Sequence, residues 1–235
     1  MVLTRGGGIG SQRNPYMWAG DQCRTFPKLK DQLIGVLTSG MSGVPFMTVD
    51  LAGYAYANAC LKPAGTFRGE AVFRKSDKKM TPETEAAVFR RGLEFATFLT
   101  CLQSHGSVMN AYEFDEQTRR HYCKYVDIHR ALEPYMSHLN RLAAERGTPP
   151  LRPLAFAFPE DPRNWNRTDA FMLGDALLAI PVLGTSEAHE PILPPGDWKR
   201  IEGVDFPLYL NGGADEASAV ARALANCGLK LSVHP

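Results

Sequence analysis

Residues 43–54 read GVPFMTVDLAGY, and this stretch decides the fold. Val44–Leu51 is an apolar run of strand length, Asp50 stands at its C-terminal end, and Gly53-Tyr54 turns the chain into a loop. Upstream, Pro27 sits where a first helical residue belongs. Leu29, Leu33, Ile34, Val36 and Leu37 follow as a helical apolar face, which Gly40 and Gly43 end. Further back, Tyr16–Ala19 is a short apolar stretch ending at Gly20-Asp21, and Met1–Thr4 reads as a short strand running into Arg5 and a glycine cluster. Downstream, residues 55–82 read as an irregular excursion of mixed charge. Thr81-Pro82-Glu83 starts a helix, with Thr81 as N-cap, that runs to about Phe95. A short strand then ends near Gln103-Ser104-His105-Gly106.

The clearest helix comes next. Tyr122, Val126, His129, Leu132, Met136, Leu139 and Ala143 recur at three- and four-residue steps, and Gly147, Pro149 and Pro150 lie past its end. Strand and helix alternate, which is an α/β pattern with a parallel sheet. From Leu151 the texture changes to short apolar runs with turns, LAFAF, FMLGDALLAIPVL and PILPPGDW, expected to form a β-rich second domain. Arg5, Asp21, Asp50 and His105 stand where successive strands end. In a (β/α) barrel those are active-face positions. The period alone does not separate a barrel from an open doubly wound sheet.

Composition narrows the function classes. The 235 residues are 44% hydrophobic and 22% charged with a net charge of +1, so the chain is globular and carries no basic excess for nucleic acid. No apolar stretch reaches the roughly 20 residues of a membrane helix. The five cysteines, Cys23, Cys60, Cys101, Cys123 and Cys227, are widely spaced without a CxxC pair. They are expected to be reduced thiols of a cytosolic type of chain. The opening MVLTRGGGIG has no apolar segment of a leader peptide, and its glycines fit neither G-x-G-x-x-G nor a phosphate loop.

Several residues could carry chemistry. Asp21 follows Trp18-Ala19-Gly20, and a carboxylate against an aromatic ring suits a general acid; a loop or N-cap aspartate is the plainer alternative. Asp50 is either a strand-end turn residue or a holder of sugar hydroxyls. Arg5 can pair with either carboxylate or clamp a substrate. His105 alone reads as structural. Tyr16, Trp18, Tyr54 and Tyr56 set aromatics near the carboxylates, and sugar C–H faces stack on such rings. His121, Cys123 and His129 share one helix but offer no fourth ligand for zinc. No G-x-S-x-G elbow is present, and Asn166-Arg167-Thr168 is a glycosylation triplet that has meaning only in a secreted protein.

Read together, LTRGGGIGSQRNPYMWAGDQ, GVPFMTVDLAGY, EFATFLTCLQSHG, RPLAFAFPED, GDALLAIPVL and LPPGDW resemble glycoside hydrolase family 31, the α-glucosidase and α-xylosidase family, over roughly residues 2–198. The resemblance implies a partial (β/α)8 TIM barrel, its last four strands in residues 1–148, followed by part of a β-sandwich domain in 149–235. It implies that Asp21 is the general acid/base and that Arg5, Trp18, Asp50, Tyr54 and His105 bind substrate. Tyr54 stands where the family more often has phenylalanine, and Gln103 where it often has arginine. No W-x-D-M-N-E-like nucleophile motif occurs among these residues, and ASAVARALANCGLKLSVHP is unlike the family's β-domain.

The activity implied is retaining hydrolysis of α-glucosides or α-xylosides, with an oligosaccharide or α-glycoside as partner and no metal or organic cofactor. The chain is then a fragment that lacks the nucleophile, inactive alone and carrying an open sheet edge. A non-catalytic carbohydrate-binding or interaction protein built on the same half-barrel is the alternative. An open α/β sheet binding a phosphorylated ligand is a third, against which the missing phosphate loop counts.

Overall fold

The structure is a computed structural model that describes residues 3–5, 10–13, 16–54, 61–67, 70–75, 80–105, 110–184 and 193–232. Strands β1 (Leu3–Thr4), β2 (Tyr16–Trp18) and β3 (Met47–Thr48) form a parallel sheet in that order. Of the apolar run 44–51, only Met47 and Thr48 are regular strand. Pro45 has no N–H to give a ladder, and past Val49 the chain already turns. A parallel bridge from Asp50 to Gln103 adds a fourth strand position, with the Leu51 amide donating to the Gln103 carbonyl at 3.0 Å. Helix α1 (Phe26–Met41) joins β2 to β3 and buries Leu29, Leu33, Val36 and Leu37, as its apolar spacing requires.

The excursion after Tyr54 is more regular than expected. It contains an antiparallel hairpin of β4 (Leu61–Phe67) and β5 (Glu70–Lys75). Pro63 and Gly65 flank a register shift in this hairpin, and such residues read as loop in a sequence although a strand accommodates them at a bulge. Helix α2 (Pro82–Ala96) starts where Thr81 Oγ1 accepts the Thr84 amide at 3.3 Å. The long α3 (Glu116–Arg146) starts at Asp115, whose carboxylate accepts the Thr118 amide at 2.7 Å. It closes at Gly147, whose φ of 73° is the left-handed conformation glycine adopts without strain.

The C-terminal region is sheet-rich. Strands β6 (Leu151–Pro153), β7 (Phe171–Leu173), β8 (Leu177–Ala179), β9 (Trp198–Glu202), β10 (Leu208–Asn211) and β11 (Lys230–Leu231) form one antiparallel sheet ordered β11-β9-β10-β8-β7-β6. Leu154–Ala157, expected within an apolar strand run, is instead the short helix α4. The tail that resembled nothing folds onto this sheet: α5 (Ala217–Asn226) packs Val220 and Leu224 into the core, and β11 extends the edge beside β9. Side chains alternate across the strands. Phe171, Leu173, Leu177, Ala179, Leu208 and Leu210 join the main core with α1, α2 and α3, while Met172, Leu178 and Tyr209 face a smaller cluster with Leu154, Phe158 and Trp198. Among the described residues this region is one sheet, and the parallel strands do not close into a barrel. No described helix is long and apolar enough to cross a membrane.

Among the described residues, Cys23 departs from the reduced state expected of the cysteines. Cys23 is disulfide-bonded, whereas Cys101, Cys123 and Cys227 are free. Widely spaced cysteines carry no signal of pairing in a sequence, because chain reversal alone decides which thiols meet.

Candidate active site

Parallel pairing brings the four strand ends to the same edge of the sheet, and the polar residues that follow them meet there. Pairing continues past Trp18, where the Ala19 amide donates to the Thr48 carbonyl at 3.0 Å. Gly20 then turns the chain at φ 78°. Its missing side chain leaves room for Arg5, since a Cβ there would lie 3.1 Å from Arg5 Nε. Arg5 Nη2 reaches Asp21 Oδ1 at 3.9 Å, and both side chains are open to solvent. The Arg5 guanidinium also lies 5.2 Å from the centre of the Trp18 ring. The charge set over this aromatic is therefore the cation, which the negative face of the ring attracts. Asp21 is a loop residue and not a helix cap, since the N-cap position of α1 is held by Thr25.

Asp50 is the centre of the cluster and is fully buried. Its Oδ1 accepts the Trp18 indole N–H at 2.8 Å and the Gln103 amide at 2.9 Å, and His105 Nδ1 lies 3.6 Å away. Its Oδ2 and Gln103 Oε1 are buried without a hydrogen-bond partner among the described residues. Burial holds the Asp50 carboxyl above the ordinary carboxylate range, against the opposing pull of His105, and the Asp21 charge adds to the rise. Tyr54 and His105 pack ring on ring at 4.6 Å, and His105 meets the edge of Trp18 at 5.3 Å. Arg5, Trp18, Asp21, Asp50, Tyr54 and His105 thus form one connected group.

The turn behind Asp50 is tightly held. Ala52 has φ 58°, and a Cβ on Gly92 of α2 would sit 2.7 Å from its Cα. The Tyr54 amide donates to the Gln22 carbonyl at 2.8 Å. Residues 51–54 are thereby wedged between α2 and the segment after β2.

Other candidates lie elsewhere. Tyr16 donates to the Thr100 carbonyl at 3.3 Å and receives Asn140 at 3.3 Å, a structural role. Tyr56 is outside the described residues. His129 pairs with the Thr97 carbonyl at 2.8 Å, Cys123 is exposed, and His121 faces Glu94 and Asp205, so the three side chains do not share one site.

Gln103 is the site residue that sequence reasoning missed. It was noticed only where an arginine was expected, and the signal available was its place at a strand end. Among the described residues, two groups present three ligand atoms within 4.8 Å of one another: Asp21, Asp50 and His105, and Glu94, His121 and Asp205. In the second, Arg91 contacts Glu94 at 2.9 Å and Lys124 contacts Asp205 at 2.8 Å, so positive charge is already supplied.

Chemically, the arrangement offers an accessible carboxylate, Asp21, with the Arg5 guanidinium 3.9 Å away. Beside it lies an aromatic and imidazole wall, Trp18, Tyr54 and His105, backed by a second carboxylate. The retaining reaction at a sugar carbon needs two accessible carboxyls about 5–5.5 Å apart. Asp50 is near enough to Asp21 but is sealed from solvent.

Residues 1–139 match the model of the glycosyl hydrolases family 31 TIM-barrel domain, and residues 147–215 that of the family's C-terminal domain. An isomaltosyltransferase of Sporosarcina globispora is 28% identical over 211 residues, covering 83% of this chain and 17% of that protein. An α-glucosidase of Saccharolobus solfataricus is 27% identical over 226 residues, covering 91% of this chain and 30% of that protein. In fold, the chain is similar to a family 31 α-xylosidase from a soil metagenome, solved with xylose, at a TM-score of 0.76 and 21% identity over 93% of this chain and 35% of that one. The chain therefore spans about a sixth to a third of the length of these proteins.

Proposed function

The chain belongs to glycosyl hydrolase family 31, and from that premise we propose that it forms part of a retaining α-glycosidase site for α-glucosides or α-xylosides. The single observation that carries this reading is the meeting of four parallel strand ends at one group of sugar-compatible side chains. In this reading residues 1–148 are the last four strands of a (β/α)8 barrel. Residues 149–235 are the six-stranded part of a β-sandwich domain that supports it.

Asp21 is the general acid/base. It is the carboxylate of the group that solvent and a leaving oxygen can reach, and Arg5 lies 3.9 Å from it. It protonates the departing glycosidic oxygen and then takes a proton from the attacking water. Trp18, Tyr54 and His105 hold the sugar ring, whose C–H faces pack on aromatic surfaces. Asp50 binds a sugar hydroxyl through Oδ2, the carboxylate oxygen without a partner among the described residues, while His105 stays beside Oδ1. Its other oxygen keeps the Trp18 ring in place. The nucleophile is supplied by chain outside these 235 residues. A purely sugar-binding role is favoured by one observation: among the described residues no second accessible carboxylate faces Asp21.

The test is hydrolysis of aryl α-glucoside and α-xyloside by this chain and by Asp21→Asn, with circular dichroism for folding and saturation-transfer NMR for sugar binding. The expected result is a folded chain that binds a methyl α-glycoside without turnover and loses binding in His105→Ala. Turnover abolished by Asp21→Asn overturns the outside nucleophile. A folded chain that binds no sugar overturns the site itself.

A further inference from the structure

Asn166-Arg167-Thr168 is the one Asn-x-Ser/Thr triplet with a non-proline centre in the 235 residues. It plays no part in the sugar site. We propose that Asn166 is an attachment point for an N-linked oligosaccharide. Such a role needs an exposed, unengaged amide, a hydroxyl two residues on, a turn that presents both, and passage through an oxidising compartment.

The turn meets the local requirements. A short 3₁₀ helix, Pro162–Asn164, precedes it, capped by Asp161, whose carboxylate accepts the Arg163 amide at 3.1 Å. The chain then turns, with the Arg167 amide donating to the Asn164 carbonyl at 3.2 Å. Asn164 points inward and is 2% exposed, whereas Asn166 and Thr168 are both exposed. No hydrogen bond among the described residues engages the Asn166 side chain. The intervening Arg167 is drawn to Asp169 at 3.1 Å, away from the amide.

Two further observations agree. Trp165 is 61% exposed, unusually open for so large a ring. Its indole N–H donates to the Pro159 carbonyl at 2.8 Å, so the residue before Asn166 carries an exposed ring held in one orientation, a surface of the kind on which sugar C–H faces pack. Cys23 is disulfide-bonded, and disulfides persist in the compartments where this modification is made.

The donor is a lipid-diphosphate-linked oligosaccharide. Asn166 Nδ2 forms a bond to the anomeric carbon as that carbon's bond to the diphosphate oxygen breaks. The diphosphate leaves with the electron pair, and the proton lost from Nδ2 passes to a base of the transferring enzyme.

The experiment is import of the whole chain, behind a cleavable leader, into eukaryotic microsomes, with intact mass measured before and after peptide N-glycosidase. The expected result is one added oligosaccharide, removed by the glycosidase, absent from Asn166→Gln and Thr168→Ala and retained in Thr168→Ser. Imported wild-type chain without added mass overturns the proposal, as does a mass shift that survives in Asn166→Gln.

Discussion

Gly92→Ala should loosen the turn that presents Asp50, although the same exchange normally strengthens a helix. Alanine favours a helix interior over glycine by about 1 kcal/mol. Against this, a Cβ at Gly92 would lie 2.7 Å from Ala52 Cα, 2.8 Å from its Cβ and 2.9 Å from its N. Relaxed carbon contacts lie at about 3.5–4.0 Å, so α2 and the turn must part by roughly 1 Å. The turn cannot retreat freely. Behind it, a Cβ on Gly53 would already be 2.8 Å from the Gln22 carbonyl oxygen, and that oxygen accepts the Tyr54 amide at 2.8 Å. Overpacking costs about 1–3 kcal/mol, and backbone on both sides puts this site at the upper end. The net expectation is a loss of about 1–2 kcal/mol.

Gly35→Ala is the control. Gly35 lies in α1 with nothing within 4 Å of the added Cβ, so it should gain about 0.5–1 kcal/mol. Urea unfolding followed by circular dichroism reads both, as midpoint shifts of opposite sign at an unchanged slope. The indole N–H resonance of Trp18, which reports its bond to Asp50, should move in Gly92→Ala alone. A Gly92→Ala chain as stable as wild type would refute the wedge.

Two carboxylates should give opposite pH dependences. Burial raises the folded pKa of Asp50, so the unfolded chain loses this proton first, and stability falls as pH rises from about 3.9 towards the folded value. Asp50→Asn should therefore gain on wild type between about pH 3 and about pH 7, and a pH-independent difference in urea midpoints would count against this. Asp205, despite the opposing effect of burial, is held below the ordinary range by Lys124, His121 and Tyr125. Its contribution is present above about pH 4 and lost as pH falls through the folded value, so Asp205→Asn should flatten the acid limb of a thermal stability profile. Tyr135→Phe should cost about 2–4 kcal/mol in chemical denaturation. The hydroxyl donates to the Leu173 carbonyl at 2.9 Å and accepts the Ala176 amide at 3.2 Å, and both partners are buried. A loss well below 1 kcal/mol would mean that water replaces the hydroxyl.

Much of the frame was legible in the chain itself. The Thr81 cap, the Pro27 start of α1 and the Gly147 end of α3 are local devices, and each reads directly from residue type. The polar residues at the strand ends were legible for the same reason, since a strand that stops at a polar residue announces its end. The hairpin after Tyr54 was hidden because Pro63 and Gly65 punctuate β4, and only its pairing with β5 makes it a strand. Leu154–Ala157 is as apolar as a strand, and its contacts with the sheet above it decide for a helical turn. The tail from residue 217 showed no family signal, yet the spacing of Val220 and Leu224 was enough to seat α5 on the core.

By itself the sequence determined the alternation of β1 to β3 with α1, the starts of α1 and α2, the end of α3, and the polar residues that follow the parallel strands, because those depend on neighbours within a turn or two. Only the tertiary structure decided that Asp50 is sealed while Asp21 stays open, that Gln103 and not a cation holds the buried carboxylate, and that Arg5 rather than Asp21 covers Trp18. Those facts arise from parallel pairing of segments as far apart as Asp50 and Gln103. Burial, hydrogen-bond partners and the shift of a carboxyl group are properties of the space such segments enclose, which no single stretch of chain contains.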